Sequence, residues 1–146
     1  MKLKGKYMTF KLADEEYGLQ ILKVREIIGM LDITPVPKSE EYIKGVINLR
    51  GKVIPVVDLR MKFGMEKTVR TDQTVIIVVQ VIKDGADSTM GILVDEVLEV
   101  LSIEGSQIEP PPQMNDDANT SNFILGVGKS GKKVIFLLDI DKVLAK

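Results

Sequence analysis

The chain carries a second copy of itself. The segment from Gly18 to Ile28, GLQILKVREII, aligns without gaps on Gly91 to Leu101, GILVDEVLEVL. Gly18 meets Gly91, Ile21 meets Val94, Val24 meets Val97 and Glu26 meets Glu99. An apolar strand candidate precedes each copy, Tyr7 to Leu12 in the first and Thr74 to Val81 in the second. The later halves match as well: Gly45-Val46 with Gly126-Val127, Lys52-Val53-Ile54 with Lys133-Val134-Ile135, and Asp58 with Asp139. Each Asp opens a short helix-like segment, DLRMKF in one copy and DIDKVLA in the other. The later matches are spaced more widely, and the polar, proline-led stretch Pro110-Pro111-Pro112 followed by QMNDDANTSN accounts for the extra residues. Two copies of strand, strand, hairpin and helical turn lead to two similar small β-barrels, each marginal in size alone and so packed on the other. The halves run approximately from 7 to 64 and from 74 to 144, within one domain of residues 1–146. Met65 to Asp72 forms the crossover. Spacing leaves open whether the strand from Tyr7 to Leu12 stays with its own barrel.

Composition narrows the function classes. Aromatic residues make up only 5% of the chain and Trp is absent, so the core must come from Val, Ile and Leu, a bias that favours sheet. The formal net charge is −1, which gives no electrostatic case for nucleic acid or an acidic membrane. Without Cys or His, disulfides, most transition-metal sites, thiol chemistry and Ser-His triads are excluded. The opening residues MKLKGKYMTF alternate charge with apolar side chains and lack the apolar run of a signal peptide. Runs such as Val75 to Val79 and Val134 to Leu138 are strand-sized, too short to cross a bilayer. The expectation is a cytoplasmic protein with no membrane insertion.

One stretch is distinctive. Gly45 to Phe63, GVINLRGKVIPVVDLRMKF, reads as a β-hairpin running into a short helix. Val46, Ile47 and Leu49 form the outgoing strand, Arg50-Gly51-Lys52 turn the chain, and Val53 to Val57 return. Asp58 stands at a helix N-cap and Gly64 at its close. Pro55 lacks a backbone donor, which places its strand at a sheet edge or a bulge. The order NLRG, then Pro, then DLR resembles the signature of the CheW chemotaxis coupling family, and of the related regulatory domain of the histidine kinase CheA. The similarity runs from about Tyr7 to Leu144 and is less specific in the second half, where Gly91 to Asp95 and FLLDIDKVL fit. It implies an all-β fold of two five-stranded SH3-like barrels with short helical segments. It further implies a non-catalytic adaptor, without cofactor, joining the cytoplasmic signalling tips of chemoreceptors to the CheA regulatory domain.

The candidate site follows from repeat and resemblance together. The run from Ile21 to Ile28 fits both helical and strand spacing, and its β-rich surroundings favour strand. Strand geometry puts Val24 and Glu26 on one face with Leu22 and Ile28, either as an ordinary solvated strand or as a binding surface with apolar floor and charged rim. In this family receptor contact is associated with the barrel junction, which assigns Val24, Glu26, Gly45, Arg50, Val97 and Val100 to it. Arg50 is either a solvated turn residue or a bidentate partner for a carboxylate, on another protein or on Glu26. Gly45 and Gly51 are positions of positive φ or close backbone approach, for turn chemistry or partner access. Kinase contact is implied to be barrel against barrel, with no residues assigned.

Other motifs carry less. Asp58 and Asp139 read as helix caps, not catalytic carboxylates. Asp14-Glu15-Glu16 reads as a polar turn. Asp116-Asp117 lacks the spacing of a calcium loop. GVGKSGKK, Gly126 to Lys133, fits GxxxxGK in spacing, but Lys133 occupies the magnesium-binding Ser/Thr position and VIFLL follows where a helix belongs. It reads as a hairpin. Rival readings are the same module within a CheA regulatory domain or a CheV-type protein, a small nucleic-acid-binding barrel lacking stacking aromatics, and an enzyme lacking an acid–base pair.

Overall fold

The computed structural model describes residues 4–111 and 123–145. Asp116-Asp117 and most of the proline-led stretch lie outside the described residues. Among these residues, eleven strands form two sheets. They are β1 (Gly5–Leu12), β2 (Glu15–Gln20), β3 (Val24–Ile28), β4 (Ile43–Leu49), β5 (Lys52–Asp58), β6 (Val75–Lys83), β7 (Ala86–Val94), β8 (Glu96–Ile103), β9 (Ile108–Glu109), β10 (Ile124–Ser130) and β11 (Lys133–Leu138). Short helices α1 (Leu59–Lys62) and α2 (Ile140–Val143) follow β5 and β11. The strand order is β8-β1-β2-β11-β10-β9 in one sheet, called barrel A here, and β3-β6-β7-β5-β4 in the other, barrel B.

Each barrel therefore mixes the two copies. Barrel A takes β1 and β2 from the first copy and the rest from the second; barrel B does the reverse. The join is a parallel ladder in both, Glu16–Leu19 beside Ile135–Leu138 in barrel A and Val56–Asp58 beside Gly91–Leu93 in barrel B. The question left open for Tyr7–Leu12 resolves as exchange. Among the described residues barrel A has six strands where five were expected, the sixth being the two-residue β9 on Val127 and Gly128. Barrel B holds its counterpart as a single bridge, Thr34 to Val46.

Alternation along the strands divides the core into three. Tyr7, Ile103, Ile135 and Leu137 fill barrel A. Ile47, Ile54, Val56, Ile76, Val78 and Leu93 fill barrel B. The odd-numbered residues of β6, Ile77, Val79 and Val81, turn the other way and join Met8, Phe10, Leu12, Ile92 and Leu138 in a larger cluster between the barrels. Small residues at the duplicated glycines permit this packing. A Cβ on Gly91 would lie 2.9 Å from Ile76 Cγ2, and one on Gly18 3.2 Å from Leu137 Cδ2.

Several expectations change. Pro55 is not at an edge, because β5 lies between β7 and β4; it is tolerated because the ladder to β7 begins only at Val56. The polar turn is Ala13-Asp14, with Glu15 and Glu16 already in β2. Ile21 to Ile28 is not one strand: Ile21–Lys23 is a 3-10 turn carrying the chain from barrel A to barrel B. Other expectations hold. Asp58 caps α1 through Arg60 N–H and Asp139 caps α2 through Lys142 N–H. Gly126 to Lys133 forms the β10–β11 hairpin.

Candidate functional site

The hairpin tip between β4 and β5 fixes Arg50. Leu49 and Lys52 pair across a two-residue turn whose central residues, Arg50 (φ 52°) and Gly51 (φ 86°), are both left-handed. Asn48 Oδ1 accepts the Gly51 N–H at 2.8 Å. The guanidinium of Arg50 reaches back to β3, donating from Nη1 to Glu26 Oε1 at 3.3 Å and from Nη2 to Oε2. This is the bidentate geometry anticipated from sequence, made within the fold. The hydrogen bond from Arg50, ahead of the attraction of Arg50 and Arg25, holds the Glu26 carboxyl below its ordinary value. The pair flanks an open cleft of about 250 Å³ at the mouth of barrel B, lined by Leu49, Ile54, Val78 and Thr89.

Val24 lies elsewhere. A β-bulge at Arg25 sets Val24 opposite Val79 but Glu26 opposite Val78. Val79 belongs to the central core and Val78 to the interior of barrel B, so Val24 and Glu26 point to opposite sides of the sheet. Of the expected face, only Glu26 and Ile28 stay together, opposite Val78 and Ile76 of the barrel B interior, while Leu22 lies in the 3-10 turn. Instead Val24 and Ile27, three apart, share the central side, Ile27 standing opposite Ile77.

The second copy repeats this. Val97 faces Phe10 and Val100 faces Met8, both central-core residues, across a register shift between them. Thr9 secures that bulge, its Oγ1 donating to Glu99 O at 2.8 Å and accepting Glu99 N–H at 3.1 Å. Val24 and Val97 pack half-buried against the central cluster, while Ile27 and Val100 are exposed. The apolar positions thus form an equivalent pair of strips, Val24/Ile27 on β3 and Val97/Val100 on β8. Sequence reasoning missed Ile27; its alignment with Val100 was the signal. Gly45 is not on this surface. It is buried, and a Cβ there would sit 2.3 Å from Thr34 O, so its role is to let Thr34 cross β4 and bridge to Val46.

Two ion pairs at the seam were also missed. Arg60 of α1 holds Asp95 through Nε at 2.9 Å and through Nη2, while Asp95 Oδ2 accepts Ala13 N–H at 2.7 Å. Lys23 Nζ holds Asp141 of α2 at 2.8 Å, and Asp141 Oδ1 accepts Ile82 N–H at 2.9 Å. Among the described residues no cluster of acidic side chains could hold a metal, and no helix is long and apolar enough to cross a membrane.

Comparison with known proteins assigns the architecture. A family described as CheW-like domain matches residues 6–146. The chain belongs to the CheW-like family. It is 38% identical over 139 residues to the chemotaxis protein CheW of Klebsiella aerogenes, covering 95% of this chain and 81% of that one. With the Helicobacter pylori CheW it shares 33% over 140 residues, 96% and 81% of the two chains. The crystal structure of the scaffolding protein TtCheW from Thermoanaerobacter tengcongensis superposes with a TM-score of 0.84 at 36% identity, covering 98% of this chain and 89% of that one. A CheV3 chemotaxis protein of Helicobacter pylori is 28% identical over 131 residues, which span 40% of its length. As a CheW-like chain it is a chemotaxis scaffold of two packed SH3-like barrels.

Proposed function

We propose that this chain is a non-catalytic cytoplasmic adaptor that couples chemoreceptors to the histidine kinase CheA, so that receptor state controls kinase activity. Membership of a family whose named members are chemotaxis CheW proteins, one of them titled a scaffolding protein, carries the reading. The physical task is simultaneous binding of two partners, which needs separate faces and no chemistry. Val24, Ile27, Val97 and Val100 offer apolar side chains at the barrel junction, suited to the apolar stripe of a receptor helix. Arg50 and Glu26 belong to a different face, at the mouth of barrel B, and contribute specificity through charge more than raw affinity. The same module inside a CheV-type protein is the second reading, favoured by the CheV3 match.

The test is co-sedimentation with receptor-bearing membranes, with and without the kinase, and autophosphorylation measured alongside. Val24→Asp should lower receptor association by about tenfold or more, with a normal melting curve. Loss of the fold in that variant would mean that Val24 is core alone. Wild-type protein that binds neither partner would end the adaptor reading.

A further inference from the structure

The 3-10 turn between the barrels presents an unpaired feature. Leu22 is 92% exposed, the most exposed large apolar side chain among the described residues, while its neighbour Ile21 is anchored on the central core. Both line an open cleft of about 370 Å³ together with Lys4, Lys6, Gln20 and Lys23. Lys23 is held by Asp141. Lys4 and Lys6 are exposed and form no ion pair among the described residues, not even with Glu104, which follows the β8 partner of Gly5.

The internal duplication supplies a control. Leu22 aligns with Asp95, which is fully engaged by Arg60 and Ala13 N–H, and Lys23 aligns with Glu96. Thr9 pairs with Gly18 as Val78 pairs with Gly91, so Lys6 and Lys4 correspond to Val75 and Gln73. The combination of naked leucine and free cationic charge therefore exists at one of the two equivalent ends only. On a chain of net charge −1 it is a local positive field around an apolar foothold.

We infer that this cleft docks an acidic amphipathic segment of a partner protein, whose apolar side chain seats on Ile21 and Leu22 while a flanking Asp or Glu meets Lys4 and Lys6. Concavity favours an inserted side chain over a flat lipid surface. The asymmetry would give a partner one orientation on an otherwise two-fold body. The inference concerns partner chemistry and does not rest on the receptor assignment of the valines.

Amide NMR titration of the full chain tests it, using a synthetic helical peptide with a leucine stripe flanked by glutamates, its counterpart with lysines in place of glutamates, and phosphatidylglycerol vesicles. The acidic peptide should shift Gly5, Gln20 and Leu22, and the lysine peptide should not. Lys4→Glu with Lys6→Glu, or Leu22→Ser alone, should weaken binding about tenfold with unchanged melting. Equal binding of the lysine peptide, shifts confined to other surfaces, no binding of the acidic peptide, or unchanged affinity in the lysine variant would each overturn the inference. Binding to vesicles without binding to the acidic peptide would reassign the cleft to a membrane surface.

Discussion

Arg50 illustrates how a turn residue is held ready without being buried. The left-handed turn aims it along the hairpin, and two hydrogen bonds to Glu26 restrict a side chain that would otherwise sample many rotamers. An exposed pair of this kind contributes little to stability. Arg50→Glu should therefore melt like the wild type, yet lose partner association because a carboxylate now faces Glu26 at the cleft. Co-sedimentation with receptor and kinase reads this, and undiminished association would remove Arg50 from the contact surface. The pair should also be insensitive to pH across the neutral range. Because Glu26 is held below its ordinary value in the folded state, its contribution is complete above the unfolded carboxylate pKa and fades only as pH falls through the lowered one. Side-chain NMR of Arg50 should show it ordered at mildly acidic pH and released only in stronger acid; release near neutrality would contradict the bidentate geometry.

At the scale of the element, hairpins and glycines explain which strands meet. Gly45 and Gly51 both have positive φ, at 149° and 86°, but only Gly45 has another backbone against it. Gly51→Ala should cost about 1 kcal/mol, from backbone strain alone, whereas Gly45→Ala should cost about 3 kcal/mol or more because Thr34 must move off β4. Thermal melts of the two variants make the comparison, and similar losses would mean that the Thr34 bridge is not what Gly45 serves. These contrasts explain what could be seen beforehand. The β4–β5 hairpin, the caps at Asp58 and Asp139 and the β10–β11 turn were legible because turn and cap chemistry is local. The bulge at Arg25 was not, since an extra residue in a strand leaves no composition signal, and it moved Glu26 to the side away from Val24. Its trace was present as the three-residue spacing of Val24 and Ile27, which mimics a helix. The Arg60–Asp95 and Lys23–Asp141 contacts join residues distant in sequence, and strand exchange decides who meets whom.

For the whole molecule, that exchange makes the sequence halves dependent on each other. Residues 1–70 hold β1 to β5 and residues 71–146 hold β6 to β11, yet neither barrel is complete within either set. The central core is shared in the same way. Each half expressed alone should then lack a cooperative melt, and mixing should restore a folded one-to-one complex. Similarity of the halves raises the pairing of two first halves as an alternative to the pairing of unlike halves, and charge argues against it. Arg60 aligns with Asp141, and Leu22-Lys23 with Asp95-Glu96. Unlike halves place Arg60 on Asp95 and Asp141 on Lys23, as in the intact chain. Like halves would place Arg60 beside Lys23, or Asp141 beside Asp95, with repulsion at every seam. Size-exclusion chromatography with circular dichroism separates the outcomes: only the mixture should fold, and reversing both members of one seam pair, Lys23→Asp with Asp141→Lys, should largely preserve heteropairing where Asp141→Lys alone weakens it. A first half that folds as a homodimer would show that apolar packing, not the opposed polarity of the two seams, selects the partner.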